Sequence, residues 1–161
     1  MLKPDYIMNS VTDITTEFLK KHNFKAVLLD VDNTLSAAHG NKSPKNGVLE
    51  WINRMRQGEI SLMILSNAKV DRVESFAEVV GLPVVGMAAK PLPFGYKRAI
   101  KVLKVPSKEV LMVGDQVFTD ILGGNLAGVK TLLVTDITPE NKLHFKIKRF
   151  FERIMLKRWK R

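Results

Sequence analysis

Cysteine is missing from all 161 residues. That excludes a disulfide framework and any thiolate nucleophile or ligand, and it suits a reducing cytoplasmic location. Long apolar runs are missing too: stretches such as 26–29 and 60–65 fall far short of the roughly 20 residues a membrane-spanning helix needs. The start, Met1-Leu2-Lys3-Pro4-Asp5, leads into polar sequence, so no secretory signal is expected. Histidine is sparse, and His22, His39 and His144 lack ligand spacing, which favours surface or loop roles over metal binding. There is no G-x-G-x-x-G fingerprint, internal repeat or inter-domain linker. Acids are nearly absent from the end of the chain: residues 141–161 hold nine Lys/Arg against Glu152 alone, whereas the preceding 140 residues carry 17 basic and 15 acidic side chains. The formal net charge of +10 therefore belongs to the tail, which meets any polyanion first.

What is present reads as one globular domain spanning 1–161, long enough to bury a real core. Five continuously apolar runs, at 26–30, 60–65, 84–86, 110–114 and 131–134, predict strands buried on both faces. Helical periodicity lies between them, over 46–56, 69–80, 94–104 and 118–127, with a further N-terminal helix at 11–21. Gly81 and Pro83 form a stop signal for the second of the internal helices. Strand–helix alternation at this spacing predicts an α/β fold: a doubly wound, Rossmann-like, mostly parallel sheet of five strands. Trp51 falls on the apolar face of its helix and is assigned to the core. Gly123-Gly124 marks a close backbone approach or an interrupted helix.

Polar residues cluster where the apolar runs stop. The first strand ends in Asp30-Val31-Asp32-Asn33-Thr34, the second in Ser66-Asn67, and the fourth in Gly114-Asp115 followed by Thr119-Asp120; Lys90-Pro91 follows the third. Asp30 and Asp32 are two apart, so in extended chain both can face the same side. In a wound parallel sheet the ligand sits beyond the carboxyl ends of the strands, so all these groups converge on one edge.

These four motifs, in this order on this scaffold, resemble the haloacid dehalogenase (HAD) phosphatases over about residues 24–136. The wording DVDNTL, LSNA, KP and GDQVFTDILGGN is similar to the YqeG-like subfamily (subclass IIIA), related to phosphatidylglycerophosphatases. The resemblance implies a phosphomonoesterase. Asp30 is then the nucleophile that forms an aspartyl-phosphate. Asp32 protonates the leaving alkoxide and later activates water. Lys90 is the catalytic cation; Thr34, Ser66, Asn67 and Lys90 bind the phosphate. Mg²⁺ is held by Asp30, the Asp32 carbonyl and Asp115, with Asp120 in support. An acid at the Asp32 position suits phosphatases and phosphomutases, because halide-releasing relatives have no alkoxide to protonate. Only ten residues, 36–45, precede the next helix, so no substantial cap domain is expected and the site should be open to large or surface-bound substrates.

Over 142–161, Ile147, Phe150, Phe151, Ile154, Met155 and Trp159 recur at helical spacing, with Lys/Arg largely on the other faces. This basic amphipathic helix packs on the sheet, lies on an anionic membrane, or does both. Nucleic acid is the weaker partner, since no RNA-binding motif accompanies the aromatics. The expected substrate is a phosphate monoester, foremost phosphatidylglycerophosphate at the inner face of the membrane. The alternatives are a soluble ester, or a non-catalytic RNA- or ribosome-binding module on the same fold.

Overall fold

The apolar runs become strands of a single parallel sheet in the computed structural model, which describes residues 1–37, 42–136, 153–155 and 157. In chain order the strands are β1 (Tyr6–Met8), β2 (Ala26–Leu29), β3 (Ser61–Leu65), β4 (Val84–Val85), β5 (Val110–Gly114) and β6 (Lys130–Val134). The helices are α1 (Thr16–Lys21), α2 (Val48–Gln57), α3 (Val70–Val80), α4 (Pro93–Leu103) and α5 (Leu122–Ala127). The sheet order is β1-β6-β5-β2-β3-β4, and every pairing is parallel.

Two expectations are corrected. The sheet has six strands instead of five: Tyr6–Met8 pairs with β6, Tyr6 lying level with Leu132. The predicted helix 11–21 is two pieces, a 3-10 turn at Val11–Asp13 and then α1. Each piece has its own cap. The Ser10 N–H donates to Asp13 Oδ2 (2.9 Å), and Thr15 Oγ1 accepts from the Phe18 N–H (3.1 Å). Between them Ile14 takes extended geometry (ψ 117°), so the second cap restarts the helix and does not extend the first.

Strand alternation sorts the core into two layers. Val27, Leu29, Leu62, Ile64, Leu111 and Val113 face α1, α2 and α3 through Leu19, Trp51, Met55, Val73 and Phe76. Ala26, Leu28, Met63, Leu65, Val110 and Met112 face α4 through Tyr96 and Ala99. Trp51 is fully buried, and its Nε1–H donates to the Ile14 carbonyl (2.8 Å), so its polar group costs nothing unsatisfied. Each such large apolar side chain contributes about 1.5–3 kcal/mol by burial.

Register fixes the functional edge. Leu29 is level with Ile64 on one side and with Val113 on the other. Asp30, Ser66 and Asp115 therefore leave the sheet at nearly one height. Among the described residues, no helix or strand is inserted between β2 and α2, where only isolated bridges Asp32–Ser36 and Ser36–Pro44 form. The basic tail expected to be helical over 142–161 lies outside the described residues except at 153–155 and 157, which are helical where described. There Met155 packs beside Val117, Ile121 and Leu133. Among the described residues no helix is long and apolar enough to cross a membrane.

Candidate active site

Asp30 continues the β2 ladder, its N–H donating to the Val113 carbonyl (3.0 Å). That places its side chain at the tip of the central strand. Beyond it the chain turns back on itself: the N–H groups of Thr34, Leu35 and Ser36 all converge on the Val31 carbonyl. Thr34 is fully buried inside this turn, and its Oγ1 has no hydrogen-bond partner among the described residues. A buried hydroxyl in that state is available to a ligand oxygen.

Lys90 links the two sides of the site. Its Nζ donates to Asp30 Oδ1 (2.7 Å) and to Asp120 Oδ1 (2.7 Å). The Lys90 side chain is 2% exposed, and that of Asp120 is fully buried. Asn67 holds the Lys90 backbone from both ends: its Oδ1 accepts from the Lys90 N–H (2.7 Å), and its Nδ2 donates to the Lys90 carbonyl (2.9 Å). Asn67, expected at the phosphate, thus makes its recorded hydrogen bonds to Lys90. Ser66 is buried, and its Oγ accepts from the Ala68 N–H (3.1 Å).

Asp120 is aimed inward by a π-type turn, Val117–Ile121, a distortion common at functional sites. Its Oδ2 accepts from the Gln116 N–H (3.1 Å). Tyr96 pins the same turn, its hydroxyl donating toward the carbonyls of Thr119 and Asp120 (3.2 Å each). Two glycines make the close fit possible. A Cβ on Gly114 would collide with the Asp120 carboxylate, and one on Gly123 would lie 2.7 Å from the Tyr96 ring. The Gly123-Gly124 pair is accordingly a site of close approach.

Carboxylate oxygens of Asp30, Asp115 and Asp120 lie within 4.8 Å of one another, and all three residues are buried. Burial pushes the Asp30 carboxyl up to about 8; Lys90 pulls the other way, while the charges of Asp120 and Asp115 add to the rise. Burial works to lower Lys90, yet Asp120 and Asp30 outweigh it and hold the amine above its usual range, so it is a cation. Burial, then the Asp120 charge, keeps the Tyr96 phenol neutral. Three buried acidic groups share one ammonium, and Asp30 resists ionisation because burial and its acidic neighbours leave the cluster short of positive charge. An all-oxygen donor set in that condition fits a hard divalent cation.

Asp32 is not part of this three-carboxylate group. Its two oxygens receive Arg72 Nη2 at 2.9 and 3.0 Å, and the pair is partly exposed, 40% for the Arg72 side chain and 14% for that of Asp32. All eight residues singled out in the sequence thus sit at the carboxyl edge. The structure gathers Asp30, Lys90, Asp115 and Asp120 in one cluster and pairs Asp32 with Arg72. Sequence reasoning missed Arg72 and Tyr96. Its one available cue for Arg72 was a basic residue in the first turn of the helix directly after the Ser66-Asn67 strand end. His22, one of the scattered histidines, meets Tyr6, its Nδ1 3.1 Å from the phenol oxygen; His39 and His144 lie outside the described residues.

A wound parallel sheet carrying this carboxylate-and-lysine edge defines the class, a Rossmann-like α/β domain with its polar site at the carboxyl ends of the strands. A family model described as HAD-hydrolase-like matches residues 87–151. A Bacillus subtilis protein named "Probable phosphatase YqeG" is 33% identical over 159 residues, covering 98% of this chain and 91% of its own. The mitochondrial phosphatidylglycerophosphatase of Saccharomyces cerevisiae is 29% identical, covering 84% of this chain and 79% of its own. Among solved structures, the HAD-hydrolase YfnB from Bacillus subtilis, bound to magnesium, shares the fold at a TM-score of 0.54 and 19% identity, over 65% of this chain and 50% of that one. The chain belongs to the HAD-like hydrolases, in the YqeG-like group.

Proposed function

We propose that this chain is a Mg²⁺-dependent phosphomonoesterase, acting as one domain, whose substrate is phosphatidylglycerophosphate at a membrane surface. The observation that carries the catalytic reading is the buried Asp30–Lys90–Asp120 relay, 2.7 Å at each contact, with Asp32 two residues beyond Asp30. An Asp30 oxygen attacks phosphorus, and a new O–P bond forms as the ester P–O bond breaks. Asp32 gives its proton to the departing alkoxide. Water then attacks the aspartyl-phosphate, Asp32 takes a proton from that water, and orthophosphate leaves with Asp30 restored. Lys90 neutralises charge on Asp30 and on the phosphoryl group, and the hydroxyls of Thr34 and Ser66 bind its oxygens. Asp30, the Asp32 carbonyl and Asp115 would hold Mg²⁺, which when bound supplies positive charge against the phosphoryl oxygens. Asp120 serves Lys90, since its oxygens accept from Lys90 and from the Gln116 N–H.

The lipid part of the reading is supported by the yeast relative and by the edge itself. Met87, Leu92 and Phe94 are more than half exposed and Phe118 about a third; Met87 and Leu92 lie on the segment around Lys90, Phe94 in the first turn of α4 and Phe118 in the π-type turn after Asp115. Leu92 and Phe94 bracket Pro93 just after Lys90, and Phe118 adjoins Thr119, whose carbonyl accepts from Tyr96 on the same turn of α4. Apolar side chains beside an open site can enter the boundary of a bilayer, at about 1 kcal/mol for each half-exposed Leu or Phe. The protein is then cytoplasmic with peripheral contact at the inner face, and the basic tail adds attraction for anionic lipid.

The test is orthophosphate release from dioctanoyl phosphatidylglycerophosphate in mixed micelles, with Mg²⁺ and with EDTA. Brisk Mg²⁺-dependent turnover that Asp30→Asn and Asp32→Asn each abolish is the expected result. Turnover of soluble sugar phosphates or nucleotides with none of the lipid ester would overturn the lipid assignment. Salt-sensitive RNA binding without activity on any ester would overturn the enzyme.

A further inference from the structure

Arg72 reaches Asp32, the carboxylate assigned to the leaving group. It is the third residue of α3, and a cation in the first helical turn works against the helix macrodipole. The partly exposed pair with Asp32 is worth only about 0–1 kcal/mol to the fold. What the placement brings is contact with Asp32. Asp32 must touch the leaving oxygen when it delivers its proton, so a guanidinium whose Nη2 lies 2.9 and 3.0 Å from the two Asp32 oxygens stands on the leaving-group side of the site. The phosphoryl side is already served by Lys90, buried with Asp30 and Asp120.

We propose that Arg72 is a specificity-determining residue that binds a second anion, a phosphodiester or phosphate carried on the leaving group two or three carbons from the scissile ester oxygen. The proposal rests on the phosphatase reading above and deepens it by naming what the leaving group must carry. A planar guanidinium presents N–H groups in a fork that matches phosphate oxygens, and it can span a carboxylate and a phosphate together. Lysine would supply the charge without that geometry. Arg72 is 40% exposed along its side chain, so the anion can reach it from solvent or from a lipid surface. The arrangement couples recognition to chemistry: an anion held by Arg72 places the ester oxygen beside Asp32. A leaving group without one is placed by the phosphoryl end alone.

The experiment compares kcat/KM for three esters: dioctanoyl phosphatidylglycerophosphate in micelles, its water-soluble deacylated headgroup, and sn-glycerol 3-phosphate, which has no second anion. The wild type should prefer the deacylated headgroup over glycerol 3-phosphate by at least about tenfold. In Arg72→Ala that ratio should collapse by roughly ten- to a hundredfold, with Arg72→Lys between the two. The micellar ester should fall with the headgroup if the anion is what Arg72 reads; loss confined to micelles would mean that Arg72 meets the lipid surface instead, and would overturn the proposal. An unchanged ratio, with every ester slowed in parallel and the pH profile of kcat displaced, would reduce Arg72 to a residue that positions Asp32. Absence of turnover on all three esters by the wild type removes the parent reading, an outcome distinct from parallel slowing. Far-ultraviolet circular dichroism of both variants checks that they fold.

Discussion

Asn67 grips the backbone of Lys90 across 23 residues of sequence, accepting from its N–H at 2.7 Å and donating to its carbonyl at 2.9 Å. The strand end after β3 and the loop after β4 are thereby locked together. The lysine can then deliver its amine to Asp30 and Asp120 from a fixed base. On the proposed mechanism the clamp gives Asn67 a positioning role.

Asn67→Ala should accordingly lower kcat more than it raises KM. Removing both hydrogen bonds costs about 1–3 kcal/mol, and if most of that is spent in the transition state the rate falls roughly ten- to a hundredfold. Steady-state kinetics on a small soluble ester, with thermal unfolding run in parallel, checks this. A rise in KM at constant kcat would instead place the amide on the phosphate.

Lys90 balances charge in the acidic cluster. With its amine gone, Asp30, Asp115 and Asp120 remain close together and buried. Breaking a buried ion pair by removing one partner typically costs about 3–5 kcal/mol. Lys90→Met should therefore lower the melting temperature in EDTA. Millimolar Mg²⁺ should recover part of the loss, because a cation that binds only the folded state stabilises it by mass action. Equal melting temperatures for wild type and variant in EDTA would contradict the assigned electrostatics.

The carboxyl edge was legible because Asp30, Ser66, Lys90 and Asp115 each break an apolar run or follow one closely, and the parallel register leaves such breaks at one height. Arg72 was not legible. A basic residue in an early helical turn reads as solvated charge, and its partner Asp32 is 40 residues away. Tyr96 was hidden for another reason: its hydroxyl meets the backbone carbonyls of Thr119 and Asp120, and backbone partners leave no trace in side-chain pattern. β1 escaped because Tyr6–Met8 is three half-buried residues, too short for periodicity to register. Tyr6 and Met8 pack against the core, Tyr6 lies edge-on to Phe18 and Phe24, and Asp5 adds polar ties to β6.

Asp5 ties the start of β1 to β6 through side chain and backbone. Its Oδ1 accepts from Lys130 Nζ (2.7 Å), its Oδ2 from the Thr131 N–H (3.0 Å), and its own N–H donates to the Thr131 carbonyl (3.0 Å). Burial pushes the Asp5 carboxyl up, but the Lys130 and Thr131 hydrogen bonds together with the Lys130 charge outweigh it and hold the group below its ordinary 3.8. A carboxyl whose folded pKa lies under its unfolded one adds stability that is fully present above the unfolded value. The contribution is lost as pH falls through the folded value. Asp5→Asn should thus be less stable than the wild type at pH 7, with a constant gap down to about pH 4 and a closing gap below it. Urea unfolding of both proteins from pH 7 to pH 3 measures this. A gap that widens in acid, or none at neutral pH, would mean that the backbone pairing of β1 with β6 holds that edge without Asp5.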